Sequence, residues 1–232
     1  MYKIIEKYLT PNKYSRPQIP MKNIKGIVIH WVANPNTSAL ANRNYFENRK
    51  YGLTKILYGS AHEIIDLNGD IITCIPKNEI AYGAGSKTYL PIAIQKLGTY
   101  PNSCTYHIEC THIDWDGTMT DATYKTLVNR CVDLCFEYNL NPLVDLWLHE
   151  EITGKLCHRW FVDNPDKWDF FKKKVNNIMK YTMLKVNFFG KDIDLNEVVN
   201  INDKNYVGIR EMFEKIGFKV DWDGEKVNIG WK

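Results

Sequence analysis

His149 and Cys157 stand eight residues apart in the run LWLHEEITGKLCHRWF, with Lys155 between them. A third metal-competent side chain, His30, lies far upstream in the apolar run GIVIHW. Two imidazoles and one thiolate form a three-ligand set that zinc accepts while keeping its fourth position open. An open position admits water with a lowered pKa, which is the chemistry of hydrolysis near neutral pH. His30 and His149 each end a predicted strand, where a side chain is held rigidly and still faces a cleft. Cys157 follows in a predicted loop with slack to fold back on the same ion. A lone histidine in an apolar run also reads as a satisfied core residue, and that alternative stays open for His30.

Other residues could complete such chemistry. In an extended loop, residues i and i+2 point to one side. Lys155 could therefore reach whatever the metal holds and stabilise an oxyanion; otherwise it is a solvated surface lysine. Glu109 is the carboxylate in the aromatic and apolar context YHIECTH. It is a candidate general base, or else one half of an ion pair with Arg130. His107 shares a strand face with Glu109, whereas His112 lies at odd spacing on the opposite one. His62, His107, His112 and His158 remain unassigned. Cys131 and Cys135, at helical spacing among apolar neighbours, read as small core residues.

The elements that must position these groups follow from patterning. Residues 25–31 read as a buried strand, and Thr37 or Ser38 as the cap of a helix running to about Arg49. The run SAHEIIDLNGDIITCIP reads as two strands turning at Asn68-Gly69. Residues 77–104, rich in Gly, Tyr and Pro, read as a long loop of the kind that carries function. Residues 105–113 form a predicted strand, 120–139 an amphipathic helix, 143–149 a short strand, 150–163 a loop and 165–180 a helix opening on Pro165. The composition shifts near Tyr181. Beyond it the pattern predicts two strands from 183 onward, a helix over 205–217, and a hairpin over 219–231 turning at Asp223-Gly224. Two domains follow, residues 1–180 and 181–232, the second of marginal size for independent stability.

Bulk properties exclude several classes. The 232 residues are 44% hydrophobic and 25% charged, an ordinary globular composition. A net charge of +3 is no basic stripe, so nucleic acid is not an expected partner. No apolar run reaches the length of a membrane span. The first twenty residues lack the apolar core and small-residue cleavage site of a secretory signal, so synthesis in the cytoplasm is expected. Six scattered cysteines without such a signal read as free thiols.

The ordered runs IKGIVIHWVANPNTSALANRNYF, SAHEIIDLNGDIITCIPKNEIAYGAG, IECTHIDWDG and HEEITGKLCHRWF resemble the zinc-dependent N-acetylmuramoyl-L-alanine amidases of the type-2 family. The likeness is greatest to the phage and prophage endolysins of clostridia and bacilli, and it covers roughly residues 1–180. It implies an α/β fold: a mixed β-sheet flanked by helices with zinc at one sheet edge, followed here by a small C-terminal α+β module. It implies His30, His149 and Cys157 as zinc ligands, Lys155 as the oxyanion-stabilising lysine and Glu109 as the acidic catalytic residue. The implied partner is bacterial peptidoglycan, cut between N-acetylmuramic acid and L-alanine, with action on the wall after release from the cytoplasm. The alternative is a relative that holds peptidoglycan without cutting it; such relatives typically lack the cysteine.

Two departures stand out. Related members often read Ala-Tyr-His-Ala-Gly or Ala-Trp-His-Ala-Gly where this chain has Ala81 to Gly85 with Gly83 in the middle. The strand before the glutamate usually carries a small residue, often Ile-Gly, where this chain has Tyr106-His107. Both are expected to alter the substrate groove and leave the metal site alone. The tail resembles one copy of the copper-amine-oxidase-like stalk module, through Tyr-Val-x-x-Arg and Val-x-Trp-Asp-Gly, without evident copper ligands. By position it would serve wall targeting or self-association, including a homodimer.

Overall fold

The computed structural model describes residues 2–53, 58–182, 185–188, 190–195, 198–201 and 204–231. The chain divides into two compact units, 1–175 and 176–232. In chain order the first unit holds β1 (Ile4–Glu6), β2 (Gly26–Trp31), α1 (Ala39–Asn48), β3 (Glu63–Ile65), β4 (Ile71–Thr73), α2 (Pro91–Leu97), β5 (Thr105–Cys110), α3 (Asp121–Tyr138), α4 (Pro142–Asp145), β6 (Leu146–Leu148), α5 (His149–Thr153) and α6 (Arg159–Val162). Helix α7 (Pro165–Thr182) crosses the division.

One six-stranded sheet runs in the order β1-β4-β3-β5-β2-β6. Only β3 against β4 is antiparallel; β1–β4, β3–β5, β5–β2 and β2–β6 are all parallel. The sheet is therefore mixed, and its four mutually parallel strands β3, β5, β2 and β6 end on the same side. In open α/β sheets, ligands collect at the carboxyl ends of such strands.

Side-chain alternation decides what each face carries. Register pairs His30 with Glu109, Val28 with His107, and Ile64 with Glu109, so these five side chains share one face. Phe46 and Ala39 of α1 pack there with Ile64 and Ile72. Ala93 and Leu97 of α2 and Ile152 of α5 pack there with Val28 and Trp147. The opposite face carries Glu63, which Arg130 of α3 grips through two bonds of 2.6 and 2.8 Å. Helices thus cover both faces. Glu63 keeps only 2% of its side-chain exposure and Arg130 13%, so the carboxylate is buried and the guanidinium largely so. Arg130 is accordingly engaged with Glu63, and the alternative of an ion pair with Glu109 is overturned.

Local signals explain the helix starts. Ser38 Oγ accepts from the Ala41 N–H at 3.2 Å, and Thr120 Oγ1 accepts from the Thr123 N–H at 3.0 Å. Such caps satisfy donors that a first turn leaves unpaired. All six cysteines are unpaired and buried. No helix among the described residues is long and apolar enough to cross a membrane.

Several expectations need correction. The 77–104 segment is interrupted by α2, whose Pro91 sits at the first helical turn. The strand at 143–149 is only Leu146–Leu148, because Asn141 Oδ1 accepts from the Leu143 N–H at 3.0 Å and starts α4. The 150–163 loop holds helix α5, which begins at His149, and helix α6. Strand β1, three exposed residues without alternation, carried no sequence signal.

In the second unit, β7 (Lys185–Phe188) pairs with β8 (Lys191–Asp194), and β9 (Val198–Ile201) pairs with β10 (Lys204–Val207). Helix α8 (Ile209–Lys215) follows, then the hairpin of β11 (Phe218–Trp222) and β12 (Val227–Trp231). The helix predicted from 205 begins at Ile209, since the preceding residues are committed to β10. Residues 183 and 184, where the first strand was expected to start, lie outside the described residues.

Arg130→Ala should leave the Glu63 carboxylate buried without its partner, at a cost of about 3–5 kcal/mol. Equilibrium urea unfolding measures this; a loss under about 1 kcal/mol would show that the pair is solvent-compensated.

Candidate metal centre and cleft

His30 is the fifth residue of β2, and its parallel neighbour β6 delivers His149 immediately past its carboxyl end. Cys157 returns to the same point because α5 closes after one turn. Gly154 takes the left-handed conformation (φ +77°) that reverses the chain, and the Glu150 N–H then donates to the Cys157 carbonyl at 2.8 Å. A residue with a side chain is disfavoured at that backbone angle.

The three ligand atoms of His30, His149 and Cys157 lie within 4.8 Å of one another, and all three residues are buried. His30 Nδ1 is 3.6 Å from Cys157 Sγ. The His30 and His149 rings stand 4.8 Å apart, edge to face. A tetrahedral ion with metal–nitrogen bonds of about 2.0 Å and a metal–sulfur bond of about 2.3 Å separates its ligands by roughly 3.5 Å. The donor set and its spacing therefore fit zinc.

Electrostatics agrees with that fit. Burial, reinforced by the charges of His149 and His107, holds His30 well below its ordinary pKa. Burial and the Lys155 ammonium lower His149 to about 4. Both rings are thus neutral at pH 7 and have lone pairs to offer. Burial, with the nearby Glu109 carboxylate, pushes the Cys157 thiol far up. Its proton leaves only if a cation takes its place, as metal coordination does.

Beside this cluster opens a cleft of about 850 Å³. Its floor includes Glu109 and His149, its rim Lys155, and its walls Tyr58, Tyr82, Tyr89 and Tyr100. Glu109 is half-buried, and its Oε2 has no hydrogen-bond partner among the described residues. Burial raises its carboxyl to about 8, against the opposing pull of Lys155 and Arg49. Lys155 is exposed, with its side chain open to the cleft.

His30, His149 and Cys157 converge; Glu109 and Lys155 line the adjoining cleft. His158 is outside the cluster: its ring packs 5.2 Å from Phe161, and neither nitrogen has a hydrogen-bond partner among the described residues. His112 is engaged with the Asn34 N–H and the Asp114 carbonyl. His62 Nδ1 accepts from the His107 N–H at 2.9 Å, while its Nε2 faces the Glu79 carbonyl at 3.0 Å.

Sequence reading missed Arg49, a buried arginine in the cleft wall, and the four tyrosines individually. The signal for three of those tyrosines was the Gly- and Tyr-rich composition of 77–104. The His107 ring fills the space above Gly83 and hydrogen-bonds His30 at 3.0 Å, a contact that the expectation of an effect on the groove alone left out.

Solved structures share this fold. The catalytic domain of XlyA matches with TM-score 0.57 and 24% identity, over 75% of this chain and 99% of that one. A mutant endolysin from Bacillus subtilis matches with TM-score 0.58 and 25% identity, over 75% and 99%. Among curated sequences, the N-acetylmuramoyl-L-alanine amidase CwlL of Bacillus licheniformis is 31% identical over 182 residues, which is 77% of this chain and 48% of that protein. The N-acetylmuramoyl-L-alanine amidase BlyA of Bacillus subtilis strain 168 is 31% identical over 176 residues, 72% of this chain and 45% of its own length. The chain thus spans about half the length of the curated relatives it matches. The family model Amidase_2, described as N-acetylmuramoyl-L-alanine amidase, matches residues 20–165, a span that holds the whole cluster together with Glu109 and Lys155. The chain belongs to that family.

Proposed function

We propose that this protein is a zinc-dependent peptidoglycan amidase of the endolysin type, cutting the amide between the lactyl group of N-acetylmuramic acid and L-alanine. The observation that carries this reading is the convergence of His30, His149 and Cys157 beside a cleft floored by Glu109. When bound, zinc supplies a Lewis acid that lowers the pKa of water and polarises a carbonyl. His30, His149 and Cys157 would hold it beside the cleft, whose lining includes His149.

The remaining chemistry belongs to the side chains. Glu109, as carboxylate, takes a proton from the attacking water and hands it to the departing alanine nitrogen. Among the described residues no hydrogen-bond partner competes for its buried Oε2. Lys155 sets its ammonium where negative charge grows on the carbonyl oxygen. The tyrosines of the cleft offer flat apolar surfaces with hydroxyl tips, suited to sugar rings and a short peptide. The alternative of a non-cutting binding module is disfavoured by the presence of both Cys157 and Lys155. The C-terminal unit is proposed to serve wall attachment or self-association.

Incubation with clostridial or bacillary walls should clear the suspension and release new L-alanine amino termini without new reducing sugars. Chelation should stop clearing and zinc should restore it. Cys157→Ser should lose at least about a hundredfold in rate, the scale of an interaction worth roughly 3 kcal/mol in the transition state; full turnover by that variant would remove the proposed ligand set.

Glu109 gives a pH test. Its carboxyl sits at about 8 in the folded protein without metal, against an ordinary 4.5. Between those values the folded state keeps a proton that the unfolded state releases, so stability falls as pH rises through the window. Zinc-free protein should show this fall in thermal melts, and Glu109→Gln should not. An equal slope in the variant would contradict the buried-carboxyl picture.

Residues 1–180 alone should still cut soluble wall fragments but bind whole walls less tightly in co-sedimentation. Equal binding by the shortened chain would remove the attachment role of the C-terminal unit.

A further inference from the structure

His107 is a fully buried imidazole that the hydrolytic scheme leaves unused, and both of its nitrogens are engaged. Its Nε2 lies 3.0 Å from Thr105 Oγ1, and that hydroxyl donates to the Pro101 carbonyl at 2.8 Å. A hydroxyl has one proton to give, so Thr105 Oγ1 accepts on its other side and His107 Nε2 carries a hydrogen. A neutral imidazole has only one N–H, which leaves His107 Nδ1 with a bare lone pair. The opposite arrangement would make His107 a buried cation, and an unpaired buried charge is costly.

That bare Nδ1 lies 3.0 Å from His30 Nε2, so His30 Nε2 donates to it. The remaining nitrogen of His30, Nδ1, then holds the lone pair, and it is the nitrogen 3.6 Å from Cys157 Sγ. A line of hydrogen bonds from a backbone carbonyl through Thr105 and His107 therefore dictates which nitrogen of His30 faces the cluster. Outer partners of this kind fix tautomer and ring orientation in metal sites.

Gly83 is the other half of the arrangement. A Cβ built there would lie 2.3 Å from His107 Nδ1 and 2.4 Å from its Cγ, closer than atoms can approach. The Gly83 segment is itself anchored, because the Ala84 N–H donates to buried Asn102 Oδ1 at 2.9 Å and the Tyr82 N–H to Ser60 Oγ at 3.0 Å. The loop cannot simply lift away to make room.

We infer that His107 is a positioning residue for the metal site: it locks His30 in the Nε2–H tautomer and aims the Nδ1 lone pair at the point shared with His149 and Cys157, in a space that only glycine at position 83 leaves open. This rests on the reading of His30 as a metal ligand. The two departures from the family pattern are then one paired feature, in which strand β5 supplies an imidazole above a residue that has given up its side chain.

The test uses the full chain and zinc alone. Long-range ¹H–¹⁵N spectra of the zinc-loaded protein should show hydrogen on Nε2 of both His30 and His107; hydrogen on Nδ1 of His30 overturns the inference. In competition with a chromophoric chelator, His107→Phe should bind zinc about 10–100-fold more weakly. His107→Gln, whose amide oxygen can accept the same proton, should recover part of that loss. Gly83→Ala, which touches no ligand, should weaken zinc binding in the same direction and serves if His107→Phe does not fold. Unchanged affinity in both His107→Phe and Gly83→Ala overturns the role. A wild-type chain that takes up no zinc would instead sink the metal reading itself.

Discussion

Three uncharged donors withdrawn from water at one end of a set of parallel strands are the constraint on which the rest depends. Burial keeps both imidazoles neutral and makes the Cys157 thiol a very poor acid. Lone pairs converging in a dry place are costly unless something accepts them. A dication held by His30, His149 and Cys157 would resolve the conflict, since the thiol could then give up its proton and both rings would have a partner. It would also bring positive charge near Glu109, whose carboxylate is otherwise disfavoured by burial. The same ion that satisfies the cluster would thus ready the proton acceptor beside it.

The sheet exists, for this purpose, to bring distant parts of the chain to one edge. Parallel pairing of β5, β2 and β6 sets their carboxyl ends together, and register places His30 beside Glu109 on one face. The opposite face is fastened by the Glu63–Arg130 pair to α3, so the two faces have separate tasks. Rigidity at the site then follows from the core and does not have to be supplied by the ligands.

Much of this was legible in the residues. His149, Lys155 and Cys157 announce themselves by type and spacing, and strands β2 and β5 by β-branched and apolar runs. Asn68-Gly69 marked the β3–β4 hairpin, and the amphipathic period of α3 left little ambiguity. What escaped was whatever depends on tertiary partners. Strand β1 is short and exposed, and exists because β4 offers it a parallel edge. The turns of helix after β6 are too short for periodicity to reveal. The relation of His107 to Gly83 could not be seen either, since 24 positions separate them and only the fold shows that one fills the other's space. Glu63 was read as part of a hairpin strand, and its buried pairing needed the helix on the far side.

X-ray absorption at the zinc edge, on the zinc-loaded full chain, addresses the central claim most directly. One sulfur at about 2.3 Å together with nitrogen or oxygen neighbours at about 2.0–2.1 Å, including imidazole scattering from two rings, is the result expected for His30, His149 and Cys157 with one position left for solvent. A first shell without sulfur, or with more than one, would contradict the account.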